Sequence, residues 1–87
     1  MESRKVILSA PDGLHARPAG ELVKLVKGFT GSSVSITAGG RTVNAASMLS
    51  LLSLGLKCGS ELEIGVHGGD EAAVLDAVTS FIQSINA

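Results

Sequence analysis

The chain of 87 residues has one cysteine, two prolines, two phenylalanines, and neither tryptophan nor tyrosine. A single thiol, Cys58, excludes an internal disulfide and is compatible with a reducing compartment. Seven basic against eight acidic side chains leave a net charge of −1, with no basic run and no aromatics interleaved among cations. That balance argues against a general nucleic-acid binder. Long hydrophobic runs are missing as well. The richest apolar stretch, Met48 to Leu56, is interrupted by Ser50, Ser53 and Gly55 and falls far short of the roughly 20 residues a bilayer span needs. No basic segment followed by an apolar one marks a secretory signal, so a soluble, cytoplasmic protein without membrane insertion is expected. His15, Cys58 and His67 show neither finger-like nor helical i, i+4 spacing, so neither a metal nor a cofactor is expected.

What the chain does have is aliphatic side chain. Hydrophobic residues make up 45% of it. One domain spanning residues 1–87 is predicted, near the lower size limit for a single unstapled core, with that core built from Leu, Val, Ile and Ala.

Val6-Ile7-Leu8 reads as a strand ended by Pro11-Asp12-Gly13. Ala19, Leu22, Val23 and Val26 then fall at i, i+3, i+4 and i+7, which predicts a helix over Ala16 to Lys27. Pro18 fits only near its start, and Gly28 suits a left-handed position after its end. Val34, Ile36 and Ala38 alternate with polar residues, Gly39-Gly40 signals a hairpin, and Arg41 to Asn44 returns as the partner strand. Ser47 caps a short helix rich in Met48, Leu49, Leu51 and Leu52, which Gly55 ends. Along Glu61 to Val66, Leu62, Ile64 and Val66 face the core while Glu61 and Glu63 face water. Gly68-Gly69 is a turn, and Asp70 caps a last helix whose apolar stripe is Val74, Ala77, Val78, Phe81, Ile82 and Ile85. The order β-α-β-β-α-β-α, with half-apolar strands and striped helices, predicts an α+β fold of two layers, the helices together on one side of the sheet.

The candidate site is Gly13-Leu14-His15-Ala16-Arg17-Pro18-Ala19. With the helix starting near Ala16, His15 lies at or beside the N-cap, where unpaired backbone N–H groups attract anions and phosphate above all. A nucleophilic ring nitrogen, a cation two residues on and a helix N-terminus converge there. A neutral imidazole can attack phosphorus directly, and an imidazole with the ordinary pKa of about 6.5 is largely neutral near pH 7. The resulting phosphoramidate keeps a high transfer potential, whereas a serine ester would be too stable to donate onward. Spacing alone also fits the commoner case, a surface histidine beside a solvated arginine.

This motif resembles the active-site motif of HPr, the histidine-containing phosphocarrier family of the bacterial sugar phosphotransferase system. Lys24-Leu25-Val26-Lys27-Gly28-Phe29 and the segment Ser47 to Leu56 are similar to further HPr segments in the same order, and the likeness runs along essentially the whole chain. The resemblance implies a two-layer open-faced β-sandwich, a four-stranded antiparallel sheet with three helices on one face. It implies that His15 carries the phosphoryl group on Nδ1 and that Arg17 stabilises it. It also implies a stoichiometric carrier, not an enzyme, that receives phosphate derived from phosphoenolpyruvate by way of enzyme I and passes it to enzyme IIA components in sugar uptake. A monomer is expected.

Met48, Leu49 and Leu52 cannot all point inward on so short a helix, so an exposed apolar patch is expected, with Leu51 in the core. In HPr this surface docks enzyme I and enzyme IIA proteins, which makes Ala16, Gly20, Met48, Leu49 and Leu52 the candidate docking residues. Arg17, Lys24 and Lys27 add a weak positive rim, thinned by Ser50 where some members carry lysine. Ser47 holds the position of the serine that a dedicated kinase phosphorylates in many Gram-positive members, which brings in HPr kinase/phosphorylase and the catabolite control protein as further candidate partners. Serine is also among the best N-caps, and Ala46 replaces the basic residue that often precedes it. Two alternatives stay open: a signalling module of the same fold acting through Ser47, and a nitrogen-branch phosphocarrier with the same chemistry. His15 beside Arg17 favours the carrier over the first.

Overall fold

Strand pairing decides which side of each strand meets the helices. The computed structural model describes residues 2–86 and runs β1 (Glu2–Leu8), α1 (Ala16–Lys27), β2 (Ser33–Ala38), β3 (Arg41–Asn44), α2 (Met48–Ser53), β4 (Ser60–His67) and α3 (Glu71–Ile85). The four strands lie in the order β1-β4-β2-β3, all antiparallel, with the three helices on one face. Val6 lies opposite Leu62, Ile36 opposite Ile64 and Val34 opposite Val66, so one register gathers the apolar side chains on the helix-covered face. The same register lines Lys5, Glu63, Thr37 and Thr42 across the open face. Leu62, Ile64, Ile36, Leu22, Leu51 and Ile82 are fully buried between the layers. Each such side chain contributes about 1.5–3 kcal/mol relative to exposure. Arg4, opposite Ile64, reaches the helix side and pairs with Asp76 of α3 at 3.0 Å.

The ends of the elements follow local chemistry. Gly39 and Gly40 both take positive φ, 58° and 79°, the backbone that a two-residue β2–β3 hairpin demands. Ser47 Oγ accepts from the Ser50 N–H at 3.3 Å, and Asp70 Oδ1 accepts from the Ala73 N–H at 3.2 Å, so both helices carry the side-chain caps expected of them.

Three features differ from the sequence expectation by more than a residue at an element's end. β1 begins at Glu2, not near Val6, because ladder bonds to β4 run along its whole length and do not require apolar side chains. Gly28 is not left-handed. It sits at φ −72°, its N–H bonded to the Leu25 carbonyl at 3.1 Å, and Phe29 repeats the pattern onto Val26 so that its ring packs against the core. The left-handed glycine is Gly31, at φ 89°. On α3, Leu75 and Thr79 are buried beside Val74, Val78 and Ile82, while Ala77, Phe81 and Ile85 are half-buried. The helix lies across both β1 and β4, so its covered face is wider than a single stripe.

Candidate functional site

The loop from β1 to α1 is held by its own backbone. The Gly13 N–H donates to the Ala10 carbonyl at 2.9 Å and closes a turn, with Gly13 at φ 68°. The Leu14 N–H donates to the Leu56 carbonyl at 3.2 Å, and the Leu14 side chain is buried. His15 therefore leaves a fixed point. It is the N-cap of α1, extended at φ −87° and ψ −173°, and its side chain makes no capping hydrogen bond. Its carbonyl accepts from the Ala19 N–H at 3.0 Å, which closes the first helical turn. Pro18 is buried and brings no N–H. The N–H groups of Ala16 and Arg17 are thus the donors that this helix end presents without an intrahelical partner.

The exposed His15 lines an open cleft of about 340 Å³, together with Asp12, Arg17 and Glu21 and the apolar side chains of Pro11 and Ile85. The Arg17 side chain is 87% exposed, and its Nε lies 3.8 Å from Glu21 Oε1, an i, i+4 pair. A pair so exposed contributes only a few tenths of a kcal/mol to folding, which leaves the guanidinium free to be used elsewhere.

The candidate docking residues fall into two adjoining groups. Ala16 and Gly20 lie on α1, Met48, Leu49 and Leu52 on α2, and the two helices pack together. A Cβ on Gly20 would meet the Met48 Cε and Sδ at 3.9 Å, an ordinary contact, so packing does not require glycine there. Leu49 is 81% exposed, with Met48 and Leu52 less so, and Leu51 points into the core. Ser47 is half-buried and committed to its cap. Lys24 and Lys27 are exposed in the last turn of α1. Cys58 is exposed on the turn before β4 and His67 on the last residue of β4. Among the described residues, no three of His, Cys, Asp and Glu gather as metal ligands. No helix is long and apolar enough to cross a membrane among those residues.

Two participants were not singled out from the sequence. Glu21 lines the cleft, and its i, i+4 spacing from Arg17 was a legible signal. Leu56 anchors the His15 loop from more than forty residues away, through its backbone, and no sequence pattern announces that contact.

Known proteins resemble this chain along nearly its whole length. The family profile described as PTS HPr component phosphorylation site matches residues 2–84. The phosphocarrier protein HPr of Buchnera aphidicola subsp. Baizongia pistaciae is 36% identical over 85 residues, covering 98% of this chain and 99% of the relative. The corresponding protein of Buchnera aphidicola subsp. Acyrthosiphon pisum is 41% identical over 76 residues, covering 87% and 88%. The crystal structure of HPr-C-His from Thermoanaerobacter tengcongensis superposes with a TM-score of 0.91 at 29% identity, covering 98% of this chain and 94% of that one.

Proposed function

Because the chain belongs to the HPr family of phosphocarriers of the phosphotransferase system, we propose that it accepts and donates a phosphoryl group on His15, turning over no substrate of its own. The observation that carries this is the state of His15: an exposed, uncapped imidazole at a helix N-terminus, in one cleft with the Arg17 guanidinium.

The lone pair of a neutral ring nitrogen attacks phosphorus as the donor's bond to phosphorus breaks, the bonding electrons leaving with the donor. By the family's pattern the nitrogen is Nδ1. The charge carried by the phosphoryl oxygens during transfer meets the Arg17 guanidinium and the free N–H groups of Ala16 and Arg17. Helix-end stabilisation of this kind is worth about 0.3–1 kcal/mol when exposed. A carrier needs that modesty, since a phosphate held much more tightly would not leave.

The donor in this reading is enzyme I charged from phosphoenolpyruvate, and the acceptors are enzyme IIA components in the cytoplasm. The chain acts as one domain and as a monomer, docking through Ala16, Gly20, Met48, Leu49 and Leu52. Leu49, standing clear of the core, offers the largest apolar contact. Ser47 is a regulatory phosphorylation site in the same proposal. A phosphate there sits at the edge of the docking patch and opposes both burial of that patch and the approach of an acidic partner. Incubation with enzyme I and labelled phosphoenolpyruvate, followed by mapping of the labelled residue, tests the proposal. Label on His15 supports it, and label confined to any other residue overturns it.

A further inference from the structure

In the His15 cleft, charge of the wrong sign for a phosphate outnumbers charge of the right sign. Among the described residues, Asp12 and Glu21 line the cleft as carboxylates, against Arg17 as its cation. Arg17 is paired in the unphosphorylated protein, its Nε 3.8 Å from Glu21 Oε1. We propose that Glu21 is a positioning residue that competes with the phosphoryl group for Arg17 and thereby raises the transfer potential of phosphorylated His15. The inference rests on His15 being the accepting residue.

In the phosphoryl step the PO3− unit passes from the donor to a His15 nitrogen. The P–N bond to His15 forms, the donor's bond to phosphorus breaks, and the electron pair of the broken bond stays with the donor. The arriving oxygens draw Arg17 away from Glu21. What the phosphorylated state gains from Arg17 is therefore reduced by what the Arg17–Glu21 pair gives up. An exposed i, i+4 pair is weak, so the shift is small, but it acts directly on the equilibrium that a carrier exists to poise. Because the effect runs through Arg17, it has a signature that structural support of the helix lacks: it disappears when Arg17 is removed.

The test is a competition. Parent and Glu21→Gln, one of them isotopically marked, are mixed in equal amounts with catalytic enzyme I and limiting phosphoenolpyruvate. At equilibrium the phosphorylated fraction of each is read by intact mass. The variant is expected to hold about two-fold more phosphate than the parent, the size of such a pair. The difference should close in about 1 M salt, where exposed charges are screened within ~3 Å. The same comparison between Arg17→Gln and the Arg17→Gln/Glu21→Gln double variant is expected to give equal partition. Equal partition of parent and Glu21→Gln at low salt overturns the inference while leaving His15 as the carrier residue. A two-fold preference that persists without Arg17 overturns it too, since Glu21 would then act by direct repulsion. A parent that takes no phosphate on His15 overturns the phosphocarrier reading, and this inference with it.

Discussion

Gly13 and Leu56 meet backbone to backbone: a Cβ on Gly13 would collide with the Leu56 carbonyl oxygen, and the next N–H, that of Leu14, donates to that same oxygen at 3.2 Å. The loop that presents His15 is thereby fastened to the connection between α2 and β4. Gly13 is also left-handed, at φ 68°, so a side chain there is strained twice over. Gly13→Ala should lose about 2–4 kcal/mol, adding the cost of left-handed backbone to that of overpacking. Thermal unfolding is the check, with a melting temperature lowered by roughly 10 °C or more.

Arg17 should behave in the opposite way. Its side chain is exposed and its ion pair with Glu21 is long, so Arg17→Ala should melt within a few degrees of the parent. Phosphoryl transfer from enzyme I should slow by at least ~10-fold, short of the ~10²–10³ of a preorganised, water-excluded donor, because Arg17 is exposed and must leave Glu21 to meet the phosphoryl oxygens. Loss of stability in step with loss of transfer would make Arg17 a structural residue.

Leu49 separates docking from chemistry. At 81% exposure it contributes little to the core, so Leu49→Glu should fold normally. Burying that unpaired charge beneath an apolar partner surface costs several kcal/mol, so the KM of enzyme I for this protein should rise at least ~10-fold. Steady-state kinetics at saturating and limiting protein distinguish the two parameters. An unchanged KM would place docking elsewhere.

Glu71 supplies a pH dependence. Its carboxylate accepts the Gly68 N–H at 2.8 Å, and this bond holds its pKa below the ordinary glutamate value. A carboxyl group depressed in the folded state stabilises the fold above its unfolded pKa, and that contribution is lost as pH falls through the folded value. Glu71→Gln should therefore be less stable than the parent at neutral pH, and the two should converge in acid. Denaturant titrations across that range measure the gap.

The parts of the fold legible in the sequence are those set by neighbours along the chain. α1 occupies Ala16–Lys27 as its apolar spacing predicts, the hairpin turns on Gly39 and Gly40, and Ser47 and Asp70 cap the helices they precede. Legibility ends where a distant partner decides. β1 extends back to Glu2 because β4 offers it ladder bonds, and Leu75 and Thr79 are buried because α3 covers two strands. In the site, the placement of His15 at the N-cap and the exposure of Arg17 and Leu49 follow local pattern. The grip of Leu56 on the loop does not, since it is made by a backbone carbonyl that any residue could supply.

The most direct measurement is the chemistry of the label that enzyme I transfers from phosphoenolpyruvate. A phosphoramidate on His15 should be lost in acid, where protonated nitrogen becomes a good leaving group, and should survive alkali. The parent should take up label with that lability, and His15→Ala, altered only at an exposed position, should fold and take up none. Label that resists acid, or that persists in His15→Ala, would contradict the account.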